Sequence, residues 1–175
     1  MRTAIVLGVG PLEGLGAKLS QRFSKDHHVF VAGRSAEKLA PVVEQVREAG
    51  GSAEPLVTDA TDEKAVQALF AAAGPSLDLA IYNAGNNTPG AIETMEAAYF
   101  EASWRVCCFG GFLFGREAVR SMKAGGGTVL FTGASASLRG RANFGAFNSS
   151  KAGLRTFAQA LAKECGPAGI HVGHV

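Results

Sequence analysis

Six short runs of apolar residues, many of them β-branched, recur along the chain at residues 3–8 (TAIVLG), 28–33 (HVFVAG), 53–58 (AEPLVT), 77–83 (LDLAIYN), 127–133 (GTVLFTG) and 169–175 (GIHVGHV). Most are apolar throughout rather than alternating, as strands covered on both faces must be. Longer amphipathic stretches separate them, and their spacing predicts helices over 14–25, 35–49, 61–73, 97–123 and 145–165. Ser35 stands where it can cap the second helix and Gly50–Gly51 where they can stop it; Thr61 stands where it can cap the third. Strand and helix alternating from end to end predict an α/β domain with a parallel sheet. Right-handed crossovers then give a doubly wound sheet, most simply in the order 3-2-1-4-5-6, with helices on both faces. The last apolar run reaches Val175 with no element after it, which predicts a longer natural chain.

Composition narrows the picture. A 175-residue chain that is 47% hydrophobic and 18% charged fits one domain with a substantial core, residues 1–175. Its 23 glycines fall singly or in short clusters between apolar runs and read as turns. A net charge of +2, with Lys and Arg dispersed, supplies no basic stripe for nucleic acid, so a small-molecule ligand is expected. Three cysteines, Cys107, Cys108 and Cys165, have no metal-ligand spacing and point to a reduced, cytoplasmic protein. No segment has the ~18 consecutive apolar residues of a membrane span. His27 and His28 read as a solvated turn, and His171 and His174 share no metal partner.

The segment LGVGPLEGLGAKLSQRF joins strand, glycine-rich turn and helix in that order, the place where a pyrophosphate meets a helix N-terminus. G-x-G-x-x-G fails at Glu13, but G-x-x-x-G-x-G fits with Gly10, Gly14 and Gly16 around Leu15. Glycine lets backbone amides approach phosphates and lets the helix pack closely on the strand. A tight turn without a ligand is the alternative, and position after the first strand favours a dinucleotide in a Rossmann-type domain. At the end of the second strand stands Arg34, where an acid would hold the ribose hydroxyls of NAD and a base would accept the 2′-phosphate of NADP. NADP(H) is therefore expected over NAD(H), with Glu13 opposing if it points the same way.

These residues together resemble the short-chain dehydrogenase/reductase family over essentially the whole chain. Gly10, Gly14 and Gly16 match its glycine pattern, with Val9 where threonine is usual; Asp59 matches its adenine-holding acid, and Asn83, Ala84 and Gly85 its N-A-G motif. The resemblance implies hydride transfer between nicotinamide and a carbonyl or alcohol. It also implies an active site of serine, a Y-x-x-x-K pair and an asparagine, in which tyrosine moves the proton and lysine lowers its pKa and holds the nicotinamide ribose. Lys151 matches that lysine, but Phe147 stands at the tyrosine position, Ala134 at the serine with Ser135 next to it, and Cys107 at the asparagine. Cys107 and Cys108 read more readily as small core residues of a helix than as a polar substitute, and Tyr82 and Tyr99 fall away from the expected cleft. Asn148 and Ser149 flank Phe147 but point about 100° away from it on a helix.

Two functions follow. One is an NAD(P)-dependent oxidoreductase in which Lys151, a water or Ser135 completes proton transfer. The other is a dinucleotide-binding sensor or scaffold without reductase activity, since binding residues are kept and catalytic ones altered. The resemblance also implies a homodimer or homotetramer built on helices 97–123 and 145–165, and places a substrate loop and last strand after residue 175.

Overall fold

Strand β1 (Thr3–Leu7) shows how the sequence makes two cores at once. Its side chains alternate: Ala4 and Val6 pack with helices α1 (Leu15–Phe23) and α2 (Ala36–Glu48), while Ile5 and Leu7 pack on the opposite face. That opposite face carries α3 (Glu63–Ala73), α5 (Gly110–Met122) and α6 (Gly145–Cys165), through residues such as Leu69, Phe114 and Leu154. Fully burying an aliphatic side chain is worth about 1.5–3 kcal/mol, so a central strand must be apolar on both faces.

The computed structural model describes residues 1–175. Strands β2 (His28–Gly33), β3 (Ser52–Val57), β4 (Leu77–Tyr82), β5 (Gly127–Phe131) and β6 (Ile170–His174) join β1 in one sheet of order 3-2-1-4-5-6. Every pairing is parallel, as the expected crossovers require. Strand β3 is an edge, and there the apolar pattern relaxes: Glu54 and Pro55 are exposed, since an edge strand can spare a donor and one face.

Three details differ from the sequence reading. Asp62, not Thr61, caps α3, its carboxylate accepting from the amides of Lys64 and Ala65 at 2.8 and 3.2 Å. The Thr61 hydroxyl instead donates to Asp59 at 2.8 Å. Ser35 does occupy the first position before α2, but its side chain makes no capping bond. His27 is buried rather than solvated, with its Nε2 2.8 Å from the Asp78 carboxylate.

A fourth difference bears on the site. The stretch 97–123 is not one regular helix: α4 (Ala97–Trp104) runs into a wide π turn at Arg105–Phe109 before α5 begins. A π turn leaves a carbonyl without its usual partner, and the buried Tyr82 hydroxyl donates to one of them, Val106 O. Burial pushes the Tyr82 phenol well above its ordinary pKa, so it stays a donor. Gly110 makes the contact possible, since a Cβ there would lie 2.3 Å from the Tyr82 hydroxyl oxygen. No helix is long and apolar enough to cross a membrane.

Candidate functional site

The C-terminal ends of the strands frame two adjoining cavities. The smaller, about 180 Å³, lies over β1, β2 and β4 and is lined by Gly8, Val9, Gly10, Arg34, Thr58, Asp59, Asn83, Ala84 and Gly85 among others. The larger, about 490 Å³, lies over β5 and the start of α6 and is lined by Asn87, Ala134, Ser135, Arg139, Arg141, Phe144, Phe147 and Asn148 among others. Such a cleft beyond the carboxyl ends of parallel strands is where open α/β sheets hold ligands.

The first cavity is shaped mostly by backbone. Gly8 takes φ +103°, and a Cβ there would lie 2.3 Å from the amide nitrogen of Ala84. At Gly16 a Cβ would lie 2.8 Å from Gly8 O and 2.9 Å from Val9 Cα, so glycine lets α1 sit directly against the end of β1. Asn83 ties the same corner, its Nδ2 donating to Gly8 O at 3.0 Å. Gly10 differs: nothing lies within 4 Å of a Cβ placed on it, so the cavity side of that residue is open. Helix α1 begins after Gly14 with no side chain capping its first amides and no acid in its first turn. Those free donors, at the positive end of a helix dipole, suit a phosphate.

Polar groups complete this cavity. Arg34 is exposed and joins no ion pair. Asp59 uses one carboxylate oxygen, Oδ1, to accept from the amide and hydroxyl of Thr61, each at 2.8 Å, and leaves the other free. Donors for phosphates, a cation beside them and a free acid form a set that fits an adenine dinucleotide. Leu15, 53% exposed, stands at the first turn of α1 outside the cavity lining, and so does Gly14. Glu13 is exposed and also outside it.

Lys151 lines neither cavity but lies near Gly85 of the first and Phe147 of the second. It lies one helical turn after Phe147 on α6, is 4% exposed, and its Nζ donates to Thr132 O at 2.8 Å. The Phe147 ring centroid is 5.8 Å from that nitrogen, within the range of a cation–π contact. A Cβ on Gly85 would be 3.5 Å from Lys151 Nζ and 3.6 Å from Cys107 Sγ, so lysine, cysteine and the end of the N-A-G segment converge. Burial lowers the Lys151 pKa from its ordinary value, and Cys107 opposes that shift.

Cys107 sits in the π turn and is fully buried. Its thiol faces Asn86, 3.4 Å from Oδ1, and the same Oδ1 accepts from Ser103 at 2.9 Å. Asn86 and Ser103 were not singled out in the sequence, although Asn86 directly follows the N-A-G segment; their meeting with Cys107 depends on the π turn. Ser135 reaches the second cavity from a regular strand end. The 3₁₀ turn Ser135–Ser137 after β5 places that exposed serine beside Ala134 in the lining. Tyr99 bonds to Thr88 O, away from both cavities.

A family model described as short chain dehydrogenase matches residues 2–175. Among curated proteins, a versicolorin reductase of Emericella nidulans is 31% identical over 99% of this chain and 67% of its own length. A 3beta-hydroxysteroid dehydrogenase of Mediterraneibacter gnavus is 32% identical over 95% of this chain and 62% of its own length. The chain thus spans about two thirds of the length of these curated relatives. A solved short-chain dehydrogenase from Rhodopseudomonas palustris superposes with a TM-score of 0.93 at 40% identity, over 99% of this chain and 82% of that one. With its sheet order, its glycine corner and a family match from end to end, this chain belongs to the short-chain dehydrogenase family.

Proposed function

We propose that the protein is an NAD(P)-dependent oxidoreductase acting on a small carbonyl or alcohol, with a proton donor other than tyrosine. The observation that carries this reading is Lys151: a buried ammonium held on Thr132 O between a phosphate-suited cleft and a second cavity. Gly10, the amides that follow Gly14, Leu15 and Gly16 would hold the pyrophosphate, Asp59 the adenine, and Asn83, Ala84 and Gly85 the floor beneath the ring end. Bound there, the nucleotide would supply or accept a hydride. Arg34, unpaired at the end of β2, supports NADP(H) over NAD(H).

The proton chemistry falls to this chain's own groups. An ammonium out of water stabilises negative charge developing on a nearby oxygen far more than it would in solvent. Because burial lowers its pKa, Lys151 also yields a proton more readily than a free lysine, directly or through a water. Ser135 is the one hydroxyl lining the second cavity and can orient the substrate oxygen. Phe147, in the place of the family's phenol, contributes a ring and no proton.

That last fact supports a second reading, a nucleotide-binding sensor or scaffold without turnover. Titration of NADPH and NADH followed by assay of wild type and Phe147→Tyr on a carbonyl panel separates the two. Turnover by wild type supports the enzyme, and a gain of about 10²–10⁴-fold is expected on restoring the phenol. Turnover only in the variant favours the sensor, and binding of neither nucleotide overturns both. Exposed aromatics on α4 and α5, Phe100, Trp104 and Phe112, support assembly into a dimer or tetramer through that face.

A further inference from the structure

The second cavity has a charge that the proton chemistry does not use. Arg139 and Arg141 both line it, on either side of Gly140, and no Asp or Glu is among its lining residues. Both arginines are exposed, and neither joins an ion pair, whereas Arg2, Arg22, Arg116 and Arg120 all do. The cavity therefore carries two positive charges that no carboxylate pairs with directly.

The loop that presents them is held in place. Asn148, 8% exposed, grips the loop backbone, its Oδ1 accepting from the Arg141 amide at 2.5 Å and its Nδ2 donating to Phe144 O at 3.3 Å, while the Phe144 amide donates to Arg141 O at 3.1 Å. Gly90 N donates to Asn143 O at 2.7 Å, anchoring the loop to the segment after β4. The Arg141 guanidinium lies 4.8 Å from the Phe144 ring centroid, a contact that restricts its rotamers while leaving its charge unneutralised. The same lining also carries the Phe147 ring and the Ser135 hydroxyl, so one small molecule in a space of about 490 Å³ can meet charged, polar and apolar groups.

Resting on the oxidoreductase reading above, we propose that the substrate is an anion, with a carboxylate or phosphate held by Arg139 and Arg141 while its carbonyl or alcohol carbon lies toward Ser135 and Phe147. Planar guanidinium groups recognise both kinds of anion through paired N–H donors. Asn148 is a positioning residue here, acting on the Arg141 backbone.

The test uses the full natural chain and matched pairs: levulinate against methyl levulinate, and dihydroxyacetone phosphate against dihydroxyacetone. NADPH and NADH are titrated first, and calorimetric binding of each pair then follows on nucleotide-saturated protein, or on the free protein if no nucleotide binds. The anionic member of at least one pair is expected to bind about 10–100-fold tighter than its neutral partner, as charged hydrogen bonds allow. The pair that responds identifies carboxylate or phosphate as the source. The preference should collapse in the Arg139→Gln/Arg141→Gln double variant and shrink with added salt. Equal or weaker binding of both anions, or an unchanged preference in the double variant, overturns the anion site while leaving the oxidoreductase reading intact. Failure of both nucleotides to bind overturns that parent reading instead, and the anion preference is still scored on the free protein. Because both arginines are exposed, the double variant should melt as wild type does, which separates lost recognition from lost folding.

Discussion

The two cavities are built by different means. Around β1 the space is cut by backbone: Gly8 and Gly16 sit where any Cβ would strike main-chain atoms, and Asn83 is bonded to the loop itself. Around β5 and α6 it is cut by side chains, with Phe147, Ser135, Arg139 and Arg141 standing on the rim. A backbone-built cleft tolerates little change, because altering one residue moves the chain. A side-chain-built cleft can exchange a phenol for a phenyl ring, or gain two arginines, without disturbing the sheet beneath. This contrast fits a chain that pairs a closely packed glycine corner with Phe147 and Ala134 in the lining of the second cavity.

The sharpest way to break the comparison is at Gly8. Gly8→Ala puts a Cβ 2.3 Å from Ala84 N at φ +103°, and should destabilise the protein by about 3–5 kcal/mol in urea unfolding, through overpacking plus backbone strain. Gly10→Ala meets nothing within 4 Å and should change stability by less than about 0.5 kcal/mol while weakening nucleotide binding. Equal losses at the two positions would show that the corner is not divided into a packed side and a ligand side.

A smaller effect is expected at Arg34. Arg34→Gln should weaken NADPH by about 10–100-fold and NADH little, measured by fluorescence titration. A parallel loss for both nucleotides would remove the phosphate role. Smaller again is the cap of α3: Asp62→Ala should cost about 1 kcal/mol in the same unfolding assay. Thr61→Ala leaves the α3 amides capped, so it should cost less than Asp62→Ala.

The smallest effect is expected at the end of β6. Burial lowers the pKa of His174 on β6, and Lys151 and Arg155 of α6 push it the same way, while a backbone hydrogen bond opposes them. Above about pH 6.5 the residue is neutral in both folded and unfolded chains and its contribution is fully present. Below that, the unfolded chain takes up a proton that the folded one resists, so stability falls as pH drops toward the folded pKa. His174→Gln should flatten the melting temperature between pH 7 and 5; an unchanged slope would place the acid sensitivity elsewhere.

Legibility in the sequence followed the same division. The sheet order was readable because continuous apolar runs, helical periods and right-handed crossovers leave few arrangements, and the glycine corner was readable because only glycine meets its packing demands. Asp62 was missed beside Thr61 because two adjacent capping residues look alike until the backbone decides which one precedes the first turn. The buried His27 looked like a turn residue because its partner, Asp78, lies far along the chain on β4. Nothing in the pattern of residues 97–123 announces the π turn, since a single widened turn barely disturbs a period averaged over many residues.

From the sequence alone came the doubly wound α/β order, the strand-to-helix glycine turn, the (i, i+4) pairing of Phe147 with Lys151 and the absence of a phenol at 147. All of these are local, resting on covalent spacing, helical period and the properties of single residue types. Only the tertiary structure brought Lys151 to Thr132 O, set Cys107 against Asn86 through a π turn pinned by Tyr82, and gathered Arg139 and Arg141 around a cavity without acids. Those relations join residues far apart in the chain, and packing against the sheet decides them.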